Sequence, residues 1–379
     1  MKIVLTGGGT GGHFYPLIAV TEQIHDMVKE RKLLEPKLYY IGPEPFDSAA
    51  LLAHAIEYRP SPAGKVRRQG GAIRNFFDVF KTIWGIVKAI FQLFSLYPDV
   101  IFSKGGYAAF PTLFAARLLR IPVIIHESDA TPGLVNKWSS SFARWIGIAH
   151  PDAVKGFSQK VRGKVALVGN PIRKEIEHPA DEGGHEFLKL DTSVPTIFVL
   201  GGSQGAVTIN NVILDALPAL LSRYNIVHQT GKENLDEVNA ISKPIVENLR
   251  YDNRYRTYGL LNTLALRMVA GITDLVISRA GSGTIFEIAS WGIPSILIPI
   301  PEDISHDQTK NAFSYARSGA AVVLKQRNVT QHILEAEINR ILIDENTKKE
   351  MSEAAKTFAR PGSAAKIARI ILDTALEHA

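Results

Sequence analysis

Residues 2–14 read KIVLTGGGTGGHF, and this stretch decides the fold. The short apolar run Lys2–Thr6 is followed at once by glycines and then by the helical pattern of Phe14–Lys29. Glycines let the backbone turn sharply and approach a ligand closely, and the start of the next helix favours negative charge. The stretch therefore predicts a strand, a glycine-rich turn and a helix, the unit from which nucleotide-binding α/β domains are built.

Apolar strand patterns and amphipathic helix patterns alternate along the rest of the chain. The predicted strands are Lys2–Thr6, Leu38–Gly42, Val100–Ser103, Pro122–Glu127, Trp145–His150, Val165–Gly169, Thr196–Gly201, Asn225–Gln229, Arg256–Gly259, Leu275–Arg279, Ser295–Ile300 and Ala320–Leu324. Most are continuously apolar, as expected for parallel strands that are covered on both faces. Twelve strands exceed one ordinary open sheet, so we predict two doubly wound α/β domains with parallel sheets.

The first series of strands ends at Gly169-Asn170-Pro171. We therefore expect an N-terminal Rossmann-like domain over 1–170 and a C-terminal Rossmann-like domain over 171–355. A final segment, 356–379, carries a helical pattern that could pack on either domain.

Composition excludes several classes of protein. The 379 residues include no cysteine, which excludes disulfides and thiolate metal sites, and a hydrophobic fraction of 46% excludes a disordered chain. Residues 1–170 hold 21 Lys and Arg against 12 Asp and Glu, whereas residues 171–379 hold 22 against 25. A basic first half indicates an anionic partner, unless the asymmetry is chance. No uncharged apolar stretch is long enough for a membrane-spanning helix, and the N-terminal apolar run is too short for a signal peptide.

Two more glycine-rich turns follow predicted strands, at Gly201–Ala206 and at Ser278–Glu287. The hydroxyl of Ser203 and the free N–H groups of Ser282–Thr284 suit phosphate binding at a helix start. The carboxylate of Glu287 suits two ribose hydroxyls. The plainer alternatives are an ordinary strand-to-helix turn and a first-turn acid that caps its helix.

The first turn also satisfies the dinucleotide pattern G-x-G-x-x-G at Gly7, Gly9 and Gly12. An NAD site is disfavoured because the second predicted strand ends at Tyr40-Ile41-Gly42, without the acidic residue that would hold an adenosine ribose. Neither an Asp-x-Asp pair nor a ligand spacing of His residues is present, so we predict no tight metal site.

An apolar stretch over 75–96 follows a cluster of basic residues, Lys65, Arg67, Arg68 and Arg74. On a helix, Phe76, Phe80 and Trp84 fall along one stripe, and a second apolar set that includes Val79 and Leu93 lies beside it. One set should pack on the domain and the other be exposed. Basic residues beside exposed aromatics favour an anionic membrane surface, with an ordinary buried helix as the alternative.

The motifs taken together resemble the MurG family, the bacterial transferases that act on a lipid-linked muramoyl-pentapeptide. The resemblance rests on GGGTGGHFYPLIAV from Gly7, GGYAAFPTLFAA from Gly105, IPVIIHE from Ile121, PGLVNK from Pro132, VGNPIR from Val168, GGSQGA from Gly201, HQTGK from His228, SRAGSGTIFEIASWGIPSILIP from Ser278 and QTKNA from Gln308. It implies a GT-B fold, with two Rossmann-like domains facing a cleft and the C-terminal helix crossing back to the first domain.

The activity implied is inverting transfer of N-acetylglucosamine from UDP-N-acetylglucosamine to the 4-hydroxyl of the lipid-linked acceptor, which converts lipid I to lipid II in peptidoglycan synthesis. The resemblance implies a peripheral enzyme at the cytoplasmic face of the bacterial membrane, without cofactor or nucleic-acid partner. The residues it implies for donor binding are Thr10, Gly11, Gly12, Asp129, Arg173, Ser203, Leu260, Ser282, Gly283, Thr284, Glu287, Gln308 and Asn311. His13 and Glu127 are the two candidates for the general base.

Two positions depart from the family pattern, because Asp129 stands where Asn is common and Asp307 where His or Gln is common. An ionised Asp accepts hydrogen bonds but cannot donate them, which affects the donor-sugar contacts. The alternative activity on the same scaffold is a UDP-N-acetylglucosamine 2-epimerase, which would need no lipid acceptor. A membrane scaffold without catalysis would leave the phosphate-binding turns and Glu287 unexplained.

Overall fold

A computed structural model describes residues 1–65, 72–180, 182–202, 205–304 and 307–378, with the backbone alone described for 72–75. The chain forms two compact units. The first comprises Met1–Arg173 together with Pro361–Ala379, and the second comprises Lys174–Arg360.

The first unit is built on a parallel sheet with strand order β3-β2-β1-β4-β5-β6-β7, seven strands within the described residues. Its strands are β1 (Lys2–Thr6), β2 (Lys37–Gly42), β3 (Ile56–Pro60), β4 (Val100–Ser103), β5 (Val123–Glu127), β6 (Trp145–Ile148) and β7 (Val165–Leu167). β3 is the strand that the sequence patterns miss. It lies at the sheet edge with mostly exposed side chains, so it lacks the apolar run of its neighbours.

Helices cover both faces of this sheet. They are α1 (Gly11–Glu30), α2 (Ser48–Ala53), α3 (Ala72–Leu96), α4 (Phe110–Leu119) and α5 (Leu134–Ser139). Alternate side chains of β1 enter two separate hydrophobic cores: Ile3 and Leu5 pack with α1, whereas Val4 packs with α3 and α4. Burial on both faces explains why the central strands read as continuous apolar runs.

The second unit repeats this architecture, with strand order β10-β9-β8-β11-β12-β13 among its described residues. Its strands are β8 (Thr196–Leu200), β9 (Asn225–Gln229), β10 (Tyr255–Tyr258), β11 (Leu275–Ser278), β12 (Ser295–Leu297) and β13 (Ala321–Val323). Its helices are α6 (Lys174–Glu177), α7 (Gly184–Leu188), α8 (Val207–Leu221), α9 (Leu235–Leu249), α10 (Thr263–Gly271), α11 (Ser282–Trp291), α12 (Gln308–Ala316), α13 (Gln331–Ile343) and α14 (Glu345–Ala359). The prediction of two α/β domains with parallel sheets is confirmed.

The last helix, α15 (Ser363–Leu376), belongs to the first unit and packs along α1. Ile367 and Ile371 are fully buried in the core that also holds Leu17 of α1. Burial of one such side chain contributes about 1.5–3 kcal/mol. The Ser363 hydroxyl donates to the carbonyl of Asn170 at 2.9 Å. This bond joins the end of the unit's first segment to the start of its second.

Candidate active site

The glycine-rich turns of the first unit lie at the carboxyl ends of its parallel strands, the edge where α/β domains bind ligands. The turn after β1 is held by the Tyr40 hydroxyl, which donates to the carbonyl of Gly7 at 2.6 Å. Gly8 has a φ of +137°, and a Cβ there would lie 2.6 Å from the same hydroxyl oxygen. Because any side chain would collide with Tyr40, the close turn requires glycine at this position.

His13 lies in the first turn of α1, directly after the glycine-rich turn. Its Nδ1 is 3.0 Å from the Thr10 hydroxyl oxygen, and the side chain is partly exposed. The second turn at this edge, Gly105–Gly106 after β4, runs beside the imidazole. His13 therefore combines solvent access with a fixed orientation, the two properties that a general base needs.

Glu127 ends β5 and is almost completely buried. One carboxylate oxygen accepts from the backbone N–H of Asp129, and the other accepts from Gly133 N–H and the Asn136 side chain, all at 2.9 Å. Burial, and after it the neighbouring Asp129 carboxylate, raise the pKa of Glu127 to about 7 against the opposing effect of these hydrogen bonds. The carboxylate thus ties down the segment 127–136.

Lys104, which sequence reasoning missed, is completely buried at the end of β4. Its Nζ lies 2.6 Å from His126 Nδ1, 2.5 Å from Ser128 Oγ and 3.0 Å from Asn170 Oδ1. A lysine between a strand and a glycine turn is an ordinary sequence feature, so only the three-dimensional structure reveals this cluster.

Arg173 is the last residue of the first unit's N-terminal segment. Its guanidinium carbon lies 4.2 Å from the centre of the Tyr15 ring. The Tyr15 hydroxyl donates to Asp47 at 3.4 Å. The cation therefore stacks on an aromatic face, which leaves the planar edge of the guanidinium for an anionic group.

In the second unit, the start of α11 is open. A Cβ built on either Gly281 or Gly283 would meet no atom within 4 Å. The backbone N–H groups of a helix's first turn attract anions, and open space before them admits a phosphate. Glu287 lies one turn further on and is partly exposed, and Ser282 and Thr284 lie in the first turn. The structure thus brings together the proposed diphosphate and ribose contacts.

Gln308 and Asn311, both on α12, brace the chain just before this turn. The Gln308 side-chain oxygen accepts from the backbone N–H of Ala280 at 3.3 Å and of Ile300 at 3.1 Å. Two backbone donors fix the orientation of its amide and leave the NH₂ group to donate. Asn311 is buried and donates to the Ala280 carbonyl at 3.5 Å, so it supports the turn from inside.

Leu260 lies in the loop after β10 and is exposed. The next residue, Leu261, donates its N–H to the side-chain oxygen of buried Gln229 at 3.1 Å, which fixes the loop against the end of β9. Gln229 lies within the HQTGK motif, but sequence reasoning assigned it no role, and its contact with Leu261 is visible only in the structure.

Some predicted site residues cannot be placed. Ser203, Arg67 and Arg68 lie outside the described residues, as does the side chain of Arg74. Within the part of the chain that the structure describes, no group of three or more His, Asp or Glu could hold a metal ion.

α3 presents an exposed apolar face. Phe76, Phe80 and Trp84 are each more than half exposed, whereas Ala89 and Leu93 are buried against the core beside α4. Within the described residues, Phe76–Leu96 is also long and apolar enough to cross a membrane by length and composition. The sequence had indicated no such segment, because Asp78, Lys81 and Lys88 interrupt it.

Two parallel α/β units, with glycine-rich turns and an open helix start at their carboxyl edges, have the architecture of the GT-B fold. Residues 3–148 match the glycosyltransferase family 28 N-terminal domain, and residues 196–367 match the glycosyltransferase family 28 C-terminal domain. The chain belongs to glycosyltransferase family 28, within its MurG group, and the resemblance drawn from the motifs is confirmed.

Curated relatives match over nearly the whole chain. A protein of Treponema denticola is 33% identical, covering 94% of this chain and 93% of its own length. One from Clostridium botulinum is 35% identical, covering 94% and 97%. Both are named UDP-N-acetylglucosamine--N-acetylmuramyl-(pentapeptide) pyrophosphoryl-undecaprenol N-acetylglucosamine transferase.

Solved structures show the same fold. MurG of Acinetobacter baumannii aligns with a TM-score of 0.74 at 24% identity, covering 98% of this chain and 99% of its own. A putative UDP-N-acetylglucosamine 2-epimerase of Listeria monocytogenes aligns with a TM-score of 0.70 at 13% identity, covering 100% and 97%. At these identities the likeness concerns the fold and does not distinguish transferase from epimerase.

Proposed function

We propose that this protein transfers N-acetylglucosamine from UDP-N-acetylglucosamine to the 4-hydroxyl of a lipid-linked muramoyl-pentapeptide, with inversion at the anomeric carbon. The observation that carries the proposal is 33–35% identity, over 94% of the chain, to relatives named for this transfer. The epimerase alternative has support from fold likeness at 13–16% identity.

We assign the nucleotide sugar to the second unit. The open N-terminus of α11 would receive the diphosphate at Ser282–Thr284, and Glu287 would accept the ribose hydroxyls. The backbone at Leu260 would read uracil, since Gln229 already holds this loop in place. Gln308 would donate from its NH₂ group to a sugar hydroxyl, because its oxygen is occupied by the backbone.

We assign the acceptor to the first unit, where Thr10–Gly12 would lie against its diphosphate. In one displacement the acceptor 4-oxygen bonds to the anomeric carbon, the bond from that carbon to the phosphate oxygen breaks, and UDP leaves with the electron pair. His13 would take the hydroxyl proton, since its imidazole is accessible and oriented by Thr10. We assign Glu127 to holding the loop, because both of its oxygens accept internal hydrogen bonds.

Asp129 and Arg173 complete the polar groups of the first unit that we assign to the donor. Asp129 follows the segment that Glu127 ties down and would accept from a sugar hydroxyl. Arg173 would add positive charge for the diphosphate as UDP departs.

We propose that α3 binds the cytoplasmic surface of the bacterial membrane in the plane of the interface. The Gln92 amide donates to the carbonyl of Pro60, which ends β3, so the earlier turns of α3 extend beyond the carboxyl edge of the sheet. The exposed aromatics Phe76, Phe80 and Trp84 therefore lie towards the edge that carries the glycine-rich turn. Lys81 and Lys88 within the helix favour a surface position over a spanning one.

The direct test incubates the full chain with UDP-N-acetylglucosamine carrying a labelled sugar and a short-chain analogue of the lipid-linked acceptor. We expect labelled disaccharide and an equal amount of UDP. Release of UDP-N-acetylmannosamine with no disaccharide would replace the proposal with the epimerase activity. Folded protein that forms neither product would overturn the assignment.

A further inference from the structure

The amine of Lys104 connects three separate parts of the first sheet. The residue extends β4, and its backbone N–H donates to the carbonyl of Thr6 at 3.0 Å. A Cβ on Gly7 would lie only 3.0 Å from the Cβ of Lys104, so glycine there leaves room for the side chain under the turn. The amine reaches His126 and Ser128 near the end of β5, and Asn170 after β7.

The hydrogen-bond pattern at this amine is complete. The His126 Nε2 lies 2.8 Å from the Gly169 carbonyl, so it carries the proton and leaves Nδ1 as an acceptor. Ser128 Oγ and Asn170 Oδ1 supply two more acceptors. A protonated lysine has three N–H donors, and three acceptors lie within 3.0 Å of it. The cluster therefore suits an ammonium ion, although the site is completely buried.

The charged groups near the amine are carboxylates. Glu127 and Asp129 favour the protonated amine, whereas burial acts against it and lowers the pKa of Lys104 to about 7. Burial and the adjacent lysine together hold the pKa of His126 well below its usual value, so this imidazole is neutral. The turn after β1 and Asn170 add no titratable side chain. By reciprocity, a cation at Lys104 favours the ionised form of Glu127.

We propose that Lys104 is a positioning residue for the glycosyl transfer: its amine joins the ends of β4 and β5 to Asn170 and favours the carboxylate form of Glu127. The ionised Glu127 holds the segment 127–136 through three donors, and Asp129 lies in that segment. The inference rests on the proposed function, in which Asp129 contacts the donor sugar.

The kinetic test compares Lys104→Met with Lys160→Met, a matched loss of an exposed lysine in the same unit. In the pH profile of turnover, we expect Lys104→Met to move the acid limb to higher pH by about one unit, with an approximately tenfold loss at neutral pH that is recovered in alkali. Lys160→Met should retain the wild-type profile. A folded Lys104→Met protein with the wild-type acid limb would overturn the proposal.

A second variant covers the case in which Lys104→Met does not fold. Ser128→Ala removes one acceptor of the amine and should shift the acid limb in the same direction by a smaller amount. An unshifted limb in folded Ser128→Ala would then overturn the proposal.

The titration of Lys104 can be measured by NMR without an activity assay. In protein with ¹³C-labelled lysine, the signal absent from Lys104→Met should titrate near pH 7. A Lys104 signal whose pKa is not lowered from the ordinary lysine value would overturn the buried network. Absence of product from wild-type protein would instead overturn the proposed function, and with it the kinetic role, while the titration would still report on the cluster.

Discussion

The Glu127 carboxylate accepts a hydrogen bond from the Asn136 side chain at 2.9 Å, across the loop that joins β5 to α5. Together with the two backbone donors, this contact engages both carboxylate oxygens within the loop, which supports our assignment of Glu127 as an organiser of that loop. The carboxylate and the amide both lie in motifs that the sequence singled out, but their contact connects two of those motifs.

The first prediction concerns Glu127→Gln. A glutamine keeps the shape of the side chain but replaces one carboxylate oxygen with an NH₂ group. This NH₂ group faces an N–H donor that the oxygen accepted from, so that buried donor loses its acceptor. The expected cost is about 1–3 kcal/mol in the free energy of unfolding. Urea unfolding of Glu127→Gln measures it, with Glu350→Gln on the exposed face of α14 as control. An unfolding free energy equal to that of wild type would show that Glu127 is not tied in this way.

The second prediction concerns His13. If His13 takes the acceptor proton, His13→Ala should lower turnover by about 10²–10⁴-fold while the dissociation constant for UDP-N-acetylglucosamine stays near the wild-type value. Thr10→Val removes the group 3.0 Å from Nδ1 and should cause a smaller loss in turnover. Steady-state kinetics and calorimetric donor binding separate the two effects. Equal turnover in wild type and His13→Ala would remove His13 from the reaction.

The third prediction concerns the donor. Glu287→Ala should weaken UDP-N-acetylglucosamine binding by about 1–3 kcal/mol, because two ribose hydroxyls lose a charged acceptor. Glu350→Ala, an exposed carboxylate in the same unit, should bind the donor normally. Titration calorimetry with UDP and with UDP-N-acetylglucosamine should show the same loss, since the ribose is common to both. Unchanged affinity for UDP would place the ribose elsewhere.

The fourth prediction concerns the membrane. Phe80→Asp combined with Trp84→Asp should abolish sedimentation with anionic liposomes, because two exposed aromatics become charged at the interface. Donor binding should remain intact, since neither residue is among those assigned to the donor. The matched control is Phe187→Asp with Ile241→Asp, two exposed apolar residues of the second unit. Liposome binding that survives in the folded α3 double variant would contradict the proposal.

The fifth prediction gives the pH dependence of stability at Lys104. Burial lowers its pKa from 10.5 to about 7, so between these values the folded protein binds fewer protons than the unfolded chain. The contribution of this group to the free energy of unfolding therefore rises with pH across that window. Wild type should gain stability relative to Lys104→Met from pH 7 to 10. Glu127, whose pKa is raised to about 7, acts with the opposite sign and mainly below this window. A difference that is constant with pH would contradict the buried amine.

Much of the fold is readable from the sequence because it depends on local patterns. The run Lys2–Thr6 and the glycines after it correctly predict β1, a tight turn and α1. The sequence does not predict β3, because it is an edge strand in which only Ile56 is buried. Its other side chains do not pack in the core, so they form no apolar run.

The cluster around Lys104 could not be predicted, for a different reason. The partners of this amine lie 22, 24 and 66 residues further along the chain. β4 and β5 are neighbours only because of the strand order of the sheet. Residue spacing in the sequence does not show which groups a side chain will contact when it follows the end of a strand. The exposed face of α3 likewise depends on its packing against α4, although its two apolar stripes are visible in the sequence.

The stereochemistry of the product tests the central claim most directly. Incubation of the full chain with UDP-N-acetylglucosamine and the acceptor analogue, followed by NMR of the purified product, reports both the linkage and the anomeric configuration. We expect a disaccharide with a β-1,4 linkage formed from the α-linked donor. An α-linked product, or no disaccharide from folded protein, would contradict it.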